Sequence, residues 1–396
     1  MNPADALPVA GLGRVGGHRG PTTVVCNPCT DERWSDLVES AGHLFQSGPW
    51  LRVLRDAYGL SPKAVLVEAG GIAWVDVDDL RGRRRRSLPF SDFAGPVGST
   101  EPRAMASVLA SVWDQSTPIS LRIPVERPDD RPGPDDDLAS WLGLAEQGLQ
   151  AWHWTDVRRP DSLASISVAG PCATGDVDAA PTAWEETEAD PMWTALSPKA
   201  RQNIRRARRS GVEVGLAADQ PALTEFRLLH QRLRRRKYGL LAQPQTFFDA
   251  LHTHFGPDRL SVVSAGVDGR LVAGVLLLRH RDRAYYKFNA SNADGWATRA
   301  NDLVMWAALR QARRWGCGRL DLGVSDLDQP GLVRYKDKYA TGRGVVVEVG
   351  CPAGQPTWRE QRVDRLLSTM TRMLTAERCP EMVAERASRH LYRLFC

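Results

Sequence analysis

Residues 260–291, LSVVSAGVDGRLVAGVLLLRHRDRAYYKFNAS, form three consecutive strand-like runs, and no other stretch restricts the fold as tightly. Their turns are Val267-Asp268-Gly269-Arg270, with the Asp-Gly hairpin signal, and His280-Arg281-Asp282-Arg283. Strands joined by turns this short pair antiparallel. A helix, NDLVMWAALRQARRWG, follows and stops at Gly316, and the strand RLDLGV (Arg319–Val324) comes after it. A strand reached through a helix is placed to run parallel to its predecessor. The chain therefore calls for a mixed, mostly antiparallel sheet flanked by helices.

The first half repeats that order with negligible sequence identity. WSDLVESAG and His43–Leu60 read as helices, the second with Trp50, Val53, Leu54 and Ala57 on one buried face. Strand-like runs follow at Ala64–Ala69, Ile72–Val77 and Arg85–Phe90, then a helix (MASVLASVWDQ), a strand (Ile119–Pro124) and another helix (LASWLGLAEQGL). A chain of 396 residues is too long for one core, since cores stop growing near about 250–300 residues. The divisions expected are a loose leader over 1–30, one module over 31–175, an acidic crossing over 176–195, a second module over 196–350 and a helical extension over 351–396.

Charge and cysteines narrow the function classes. Lys199 to Lys237 carry 12 Lys/Arg against 3 Asp/Glu, a net +9; the whole chain is only +5, so the remainder nets −4. No run approaches the ~18–20 apolar residues of a membrane helix, and no membrane insertion is expected. Seven scattered cysteines do not make a disulfide framework. The single CxxC at Cys26–Cys29 lacks a partner motif, and His252 and His254 would face opposite ways on a helix. The expectation is a cytoplasmic, metal-free protein, monomeric or homodimeric.

Several phrases carry a family resemblance. LSPKARQNIRRARRSGVEV, YYKFNASN, NDLVMWAALRQARRWGCGRLDLGVSD and GLVRYKDKYATG in the second half, with FQSGPWLRVLRDAYG and RSLPFSDFAGPVG in the first, resemble the FemAB-like aminoacyl/acyltransferases from about His43 to about Gly350. The resemblance implies two tandem GNAT-like modules and amide-bond formation. The donor it implies is an aminoacyl-tRNA, with an acyl-CoA as the alternative, and the acceptor is a small-molecule or peptidyl amine. Peptidoglycan members often carry a helical-hairpin insertion; the short Lys237–Pro244 connection leaves no room for one, which favours a small acceptor of natural-product type over a cell-wall precursor.

The residues themselves speak to the chemistry. On a helix from Pro198, Arg201, Arg205, Arg208 and Arg209 make a cationic stripe, Lys199 adds a phosphate-binding candidate at its start, and Arg235, Arg236 and Lys237 close the next helix. Such density points to a phosphate-rich ligand, or else to a solvated face with helix-end capping. The Arg/Gln-x-x-Gly-x-Gly/Ala turn that holds pyrophosphate in acyl-CoA enzymes is absent from Asn292–Asn301, although Arg299 remains there. No Ser/His/Asp or Cys/His set is present, so direct transfer without a covalent enzyme intermediate is expected.

Asp321 and Asp92, at strand ends, are the general-base candidates, and Asp321 alternatively braces the loop after its strand. Lys336 matches the family's Lys element and would hold a substrate anion or the oxyanion, or else pair with Asp337 or Asp326 at the surface. Alternation along YYKFNAS puts Lys287, Asn289 and Ser291 on one face, and Tyr286 with Phe288 on the other. Tyr286, Trp50, Arg299, Ser325 and Tyr335 complete the substrate-binding candidates.

Overall fold

The computed structural model describes residues 24–68, 70–98, 108, 117–126, 145–157, 190–351 and 357–396. Most of the expected leader, all of the helix at MASVLASVWDQ but Val108, and most of the acidic crossing lie outside these residues.

Thirteen strands belong to one sheet: β1 (Val24–Cys26), β2 (Pro62–Val67), β3 (Gly70–Asp79), β4 (Gly82–Arg86), β5 (Val97–Gly98), β6 (Ile119–Val125), β7 (Ala145–Asp156), β8 (Glu213–Ala217), β9 (Leu260–Val267), β10 (Arg270–His280), β11 (Arg283–Ser291), β12 (Arg319–Asp326) and β13 (Gly342–Cys351). Their order is β1-β2-β3-β4-β6-β13-β7-β12-β11-β10-β9-β8, with β5 on β3. The hairpins β9-β10-β11 are antiparallel, and β12, reached through a helix, runs parallel to β11. In the first half β6 likewise runs parallel to β4.

The two halves exchange strands. β7, from the first half, pairs with β12 of the second, and β13, from the second, pairs with β6 of the first; β7 and β13 then pair with each other. This corrects the helix expected at LASWLGLAEQGL, whose Ala145–Leu149 portion lies in β7. Its apolar residues suit either element at this length, and the ladder supplied by β13 decides for strand. The strand expected over Arg85–Phe90 also ends early, at Arg86. Beyond it Leu88 and Phe90 take positive φ (47° and 63°), which turns the chain toward the centre of the molecule.

Helices cover both faces: α1 (Glu32–Ala41), α2 (Gly48–Tyr58), α3 (Pro191–Thr194), α4 (Pro198–Arg209), α5 (Gln220–Leu233), α6 (Gln245–Phe255), α7 (Ala293–Thr298), α8 (Ala300–Arg314), α9 (Pro330–Asp337), α10 (Trp358–Thr375) and α11 (Glu381–Leu391). α4 starts as expected, with the Ser197 side chain accepting from Ala200 N and Pro198 in the first turn. α5 runs into a π-helical turn over Arg234–Tyr238. One hydrophobic core joins the halves: Phe45 and Trp50 pack edge-on to each other, Trp50 on Phe247 and Phe45 on Tyr285. A second core lies under α4 and α8, around Trp193, Ile204 and Trp306.

Candidate active site

Parallel pairing of β11 and β12 covers only Arg283–Tyr285 against Arg319–Asp321, and beyond that the two strands splay. The opening is a cleft of about 940 Å³, its walls drawn from both halves of the chain. Strands that part leave backbone groups without ladder partners, which is where an α/β sheet accepts a ligand.

Gly323 is the pivot of the floor. Its φ of +70° belongs to the left-handed region, and the β12–β7 register slips here, between Asp321 and Val324. Its N–H donates to Asp321 Oδ1 at 2.7 Å. A methyl on Gly323 would lie 2.8 Å from Asp92 Oδ2 and 3.8 Å from Lys336 Nζ. Three of the sequence candidates, Asp92, Asp321 and Lys336, thus converge on one glycine from three different elements.

Their accessibility differs. Asp321 lies fully buried beneath the floor, with Oδ2 accepting from Trp152 Nε1 at 3.0 Å. Burial pushes its carboxyl up to about 7, aided by the Asp92 charge and resisted by the two hydrogen bonds and Lys336. A direct role for Asp321 as general base is corrected by this geometry: both oxygens are engaged and neither faces the cleft. It braces the Gly323 turn instead. Lys336, buried at the end of α9, reaches the cleft and donates to Val324 O at 2.7 Å. Burial pulls its ammonium down to about 8, against the opposing attraction of Asp92, Asp321 and Asp326. Asp92 arrives on the loop after the strained Leu88–Phe90 segment, lines the cleft, and accepts from Lys287 Nζ at 2.9 Å.

Lys287 sits at a bulge, because Leu276 pairs with Phe288 and Leu277 with Tyr286. The bulge overturns the alternation expected along YYKFNAS: Tyr286 and Phe288 line the cleft together with Lys287, Asn289 and Ser291. Trp50 does not line it. Trp50 is buried behind Lys287, 4.9 Å from ring centroid to Nζ, and its Nε1 donates to Ser91 Oγ at 2.8 Å. Ser325 is buried off the cleft, whereas Tyr335 and Arg299 are in its wall. Asn301 Nδ2 donates to the Tyr335 hydroxyl at 2.9 Å.

The basic block divides. Along α4 the apolar Ala200, Ile204 and Ala207 face the core, and Asn203 alone reaches the cleft. Arg201, Arg205 and Arg209 surround a separate shallow depression, with Arg205 over the Trp193 ring, and Lys199 bonds Gln202. Arg208 is half-buried on the same helix. In the π turn, Lys237 lines the cleft with Arg234, Arg236 does not, and Arg235 turns away. Arg235 donates to the carbonyls of Thr375, Ala376 and Cys379 at the end of α10, so its place as a phosphate ligand is corrected to a helix-end tether.

Sequence reasoning missed a polar set at the far end. Asp302 is buried in the first turn of α8 and accepts from Asn203 Nδ2 at 3.2 Å and from Lys338 and the Tyr339 hydroxyl. Asp302 and Lys338 line the cleft, as does Arg122 from β6. Nothing in the local pattern marks them, since the partners are remote in sequence. Gly295, the one glycine of the 292–301 segment, seats α7 on β10: a Cβ there would lie 2.4 Å from Val272 O.

Residues 198–337 match the family model described as an acetyltransferase (GNAT) domain. The crystal structure of FemX is similar over 86% of this chain and 98% of that one, with a TM-score of 0.58 at 15% identity. The chain shares the fold of FemX, and the GNAT domain match lies in its second half. Two further structures show similarity at a TM-score of 0.49. One is the C-terminal domain of a putative lysylphosphatidylglycerol synthetase from Agrobacterium fabrum, at 15% identity over 87% of this chain and 95% of that one. The other is a tandem GNAT protein from the clavulanic acid biosynthesis pathway, at 14% identity over 85% and 100%. No curated protein sequence matches. Among the described residues no helix is long and apolar enough to cross a membrane.

Proposed function

We propose that this acyltransferase uses an aminoacyl-tRNA as donor and forms an amide between the amino acid and the amine of a small-molecule or peptidyl acceptor. The supporting observation is Asp302. In an acyl-CoA enzyme of this fold the start of the helix after the splayed strands presents bare N–H groups to a pyrophosphate. Here a buried carboxylate stands in the first turn of that helix, ion-paired to Lys338 and bonded to Tyr339 and Asn203, in place of the bare glycine-rich turn that a pyrophosphate needs.

In the transfer itself, the acceptor amine attacks the ester carbonyl carbon, a C–N bond forms, and the C–O bond to the ribose breaks. Lys336 Nζ faces the cleft and offers a positive charge to the oxyanion. Asp92 takes the proton leaving the amine and returns it to the departing ribose oxygen. Asp321 and Lys287 position these two groups.

The alternative, an acyl-CoA donor, draws on the GNAT domain match and on Arg299, exposed just before α8, a helix with no side-chain cap. Incubation with pooled charged tRNAs or with acetyl-CoA, each with candidate amines and with or without ribonuclease, separates the two. Ribonuclease-sensitive product is expected; ribonuclease-insensitive release of free CoA thiol would overturn the tRNA reading. Charge reversal at Arg205 and Arg208 is expected to abolish tRNA-dependent turnover with melting unchanged, and undiminished turnover would remove the α4 stripe from donor binding.

A further inference from the structure

The outer end of the cleft carries two exposed rings on opposite elements. Tyr238, the last residue of the π turn, is 49% exposed, and Trp296, on α7, is 45% exposed. Both line the cleft, and among the described residues neither packs on another ring. One cation lies near both: Lys237 Nζ is 5.3 Å from the Tyr238 centroid and 5.2 Å from the Trp296 centroid. Large aromatic faces left to water at the rim of a polar cleft keep their stacking capacity free. The surrounding charge is positive. Lys237 and Arg299 have no ion-pair partner among the described residues, and Arg234 lines the same end with its Nε on Leu241 O. Exposed rings beside uncommitted cations are the two components that hold a nucleotide, one for the base and one for phosphate. A π-helical turn at this spot, where α5 would otherwise continue as an α-helix, also fits a functional distortion.

We infer that this rim is an adenine-nucleotide subsite, in which the base stacks on Tyr238 and Trp296, displacing the Lys237 ammonium, and Lys237 and Arg299 bind the adjoining phosphate. The inference rests on the donor reading above. Its chemistry is shared by two sources, the 3′-terminal adenosine of a tRNA and the nucleotide of coenzyme A. The rings also point to a base and not to a bare phosphate, which would need only the cations.

The test uses the full chain, with Kd measured for an RNA microhelix ending in CCA, for the same RNA lacking the terminal adenine base, for coenzyme A, and for phosphopantetheine, which lacks the adenine nucleotide. Variants are Trp296→Ala, Tyr238→Ala and the conservative Trp296→Phe, each checked for an unchanged melting curve. Removing the terminal base is expected to weaken microhelix binding by about tenfold. In Trp296→Ala the same removal is expected to cost less than about twofold, with Trp296→Phe restoring most of the effect. Base-dependent, ring-dependent binding of coenzyme A with none of the RNA would support the subsite and overturn the tRNA donor. RNA binding that depends on the terminal base equally in wild type and ring variants would overturn the subsite while leaving the donor reading standing. Absence of base dependence with either ligand would overturn the subsite outright.

Discussion

Asp321→Asn isolates the electrostatic cost stored beneath the cleft. The Asp321 carboxyl has an ordinary value of 3.8 and is held at about 7 by burial. Between those values the folded chain carries one proton that the unfolded chain has lost, so stability from this group is present at low pH and is lost as pH rises. Each pH unit in that window is worth about 1.4 kcal/mol, and the span from about pH 5 to 7 therefore about 2–3 kcal/mol. The amide cannot ionise and drops this dependence. It brings its own cost at every pH, because both oxygens of Asp321 accept, from Gly323 N–H and from Trp152 Nε1–H, and an amide side chain must turn its NH₂ toward one of those donors. That conflict costs about 1–3 kcal/mol.

The Asp321→Asn variant and wild type should consequently differ most at the acid end of the range, toward about pH 4, with the variant weaker, and should converge or cross by about pH 7.5. Urea melts at several pH values measure the difference. His43, His230 and His280, whose imidazoles burial holds at about 3, 3 and 4, give wild type an opposite trend, with stability lost as pH falls below the ordinary value of 6.5. Those histidines are present in both proteins and cancel in the difference. A pH-independent gap between the two melting series would falsify the assignment of a raised carboxyl to Asp321.

Two other substitutions probe the geometry. Gly323→Ala forces a Cβ onto a left-handed residue and against Asp92 Oδ2; it is expected to lose about 1–2 kcal/mol in urea melts and to lower turnover more than about tenfold, whereas wild-type turnover would show that Asp92 and Lys336 need not meet at Gly323. Arg235→Ala removes the tether to the end of α10 and should lower stability by about 1–2 kcal/mol while leaving the RNA-binding salt slope unchanged, and a slope reduced by about 0.7 or more would return Arg235 to the phosphate ligands.

Much was legible along the chain. The strand-turn-strand-turn-strand run and the helix boundaries at Ser197 and Gly316 follow from local rules of periodicity and turn chemistry. What failed was whatever depended on a remote partner. Residues 145–149 became strand because β13, remote in sequence, supplies the ladder beside them. Lys287 and Tyr286 came to share a cleft because β10 and β11 slip by one residue at Leu276–Leu277. Asp302 drew Asn203, Lys338 and Tyr339 around it from remote segments. Residue types and short periodicities settle which elements form and which can carry charge. Only the packed sheet, with its exchanged strands, its splay at Asp321 and its low-dielectric floor, settles which charges meet, which of them water still reaches, and so which can act on a substrate.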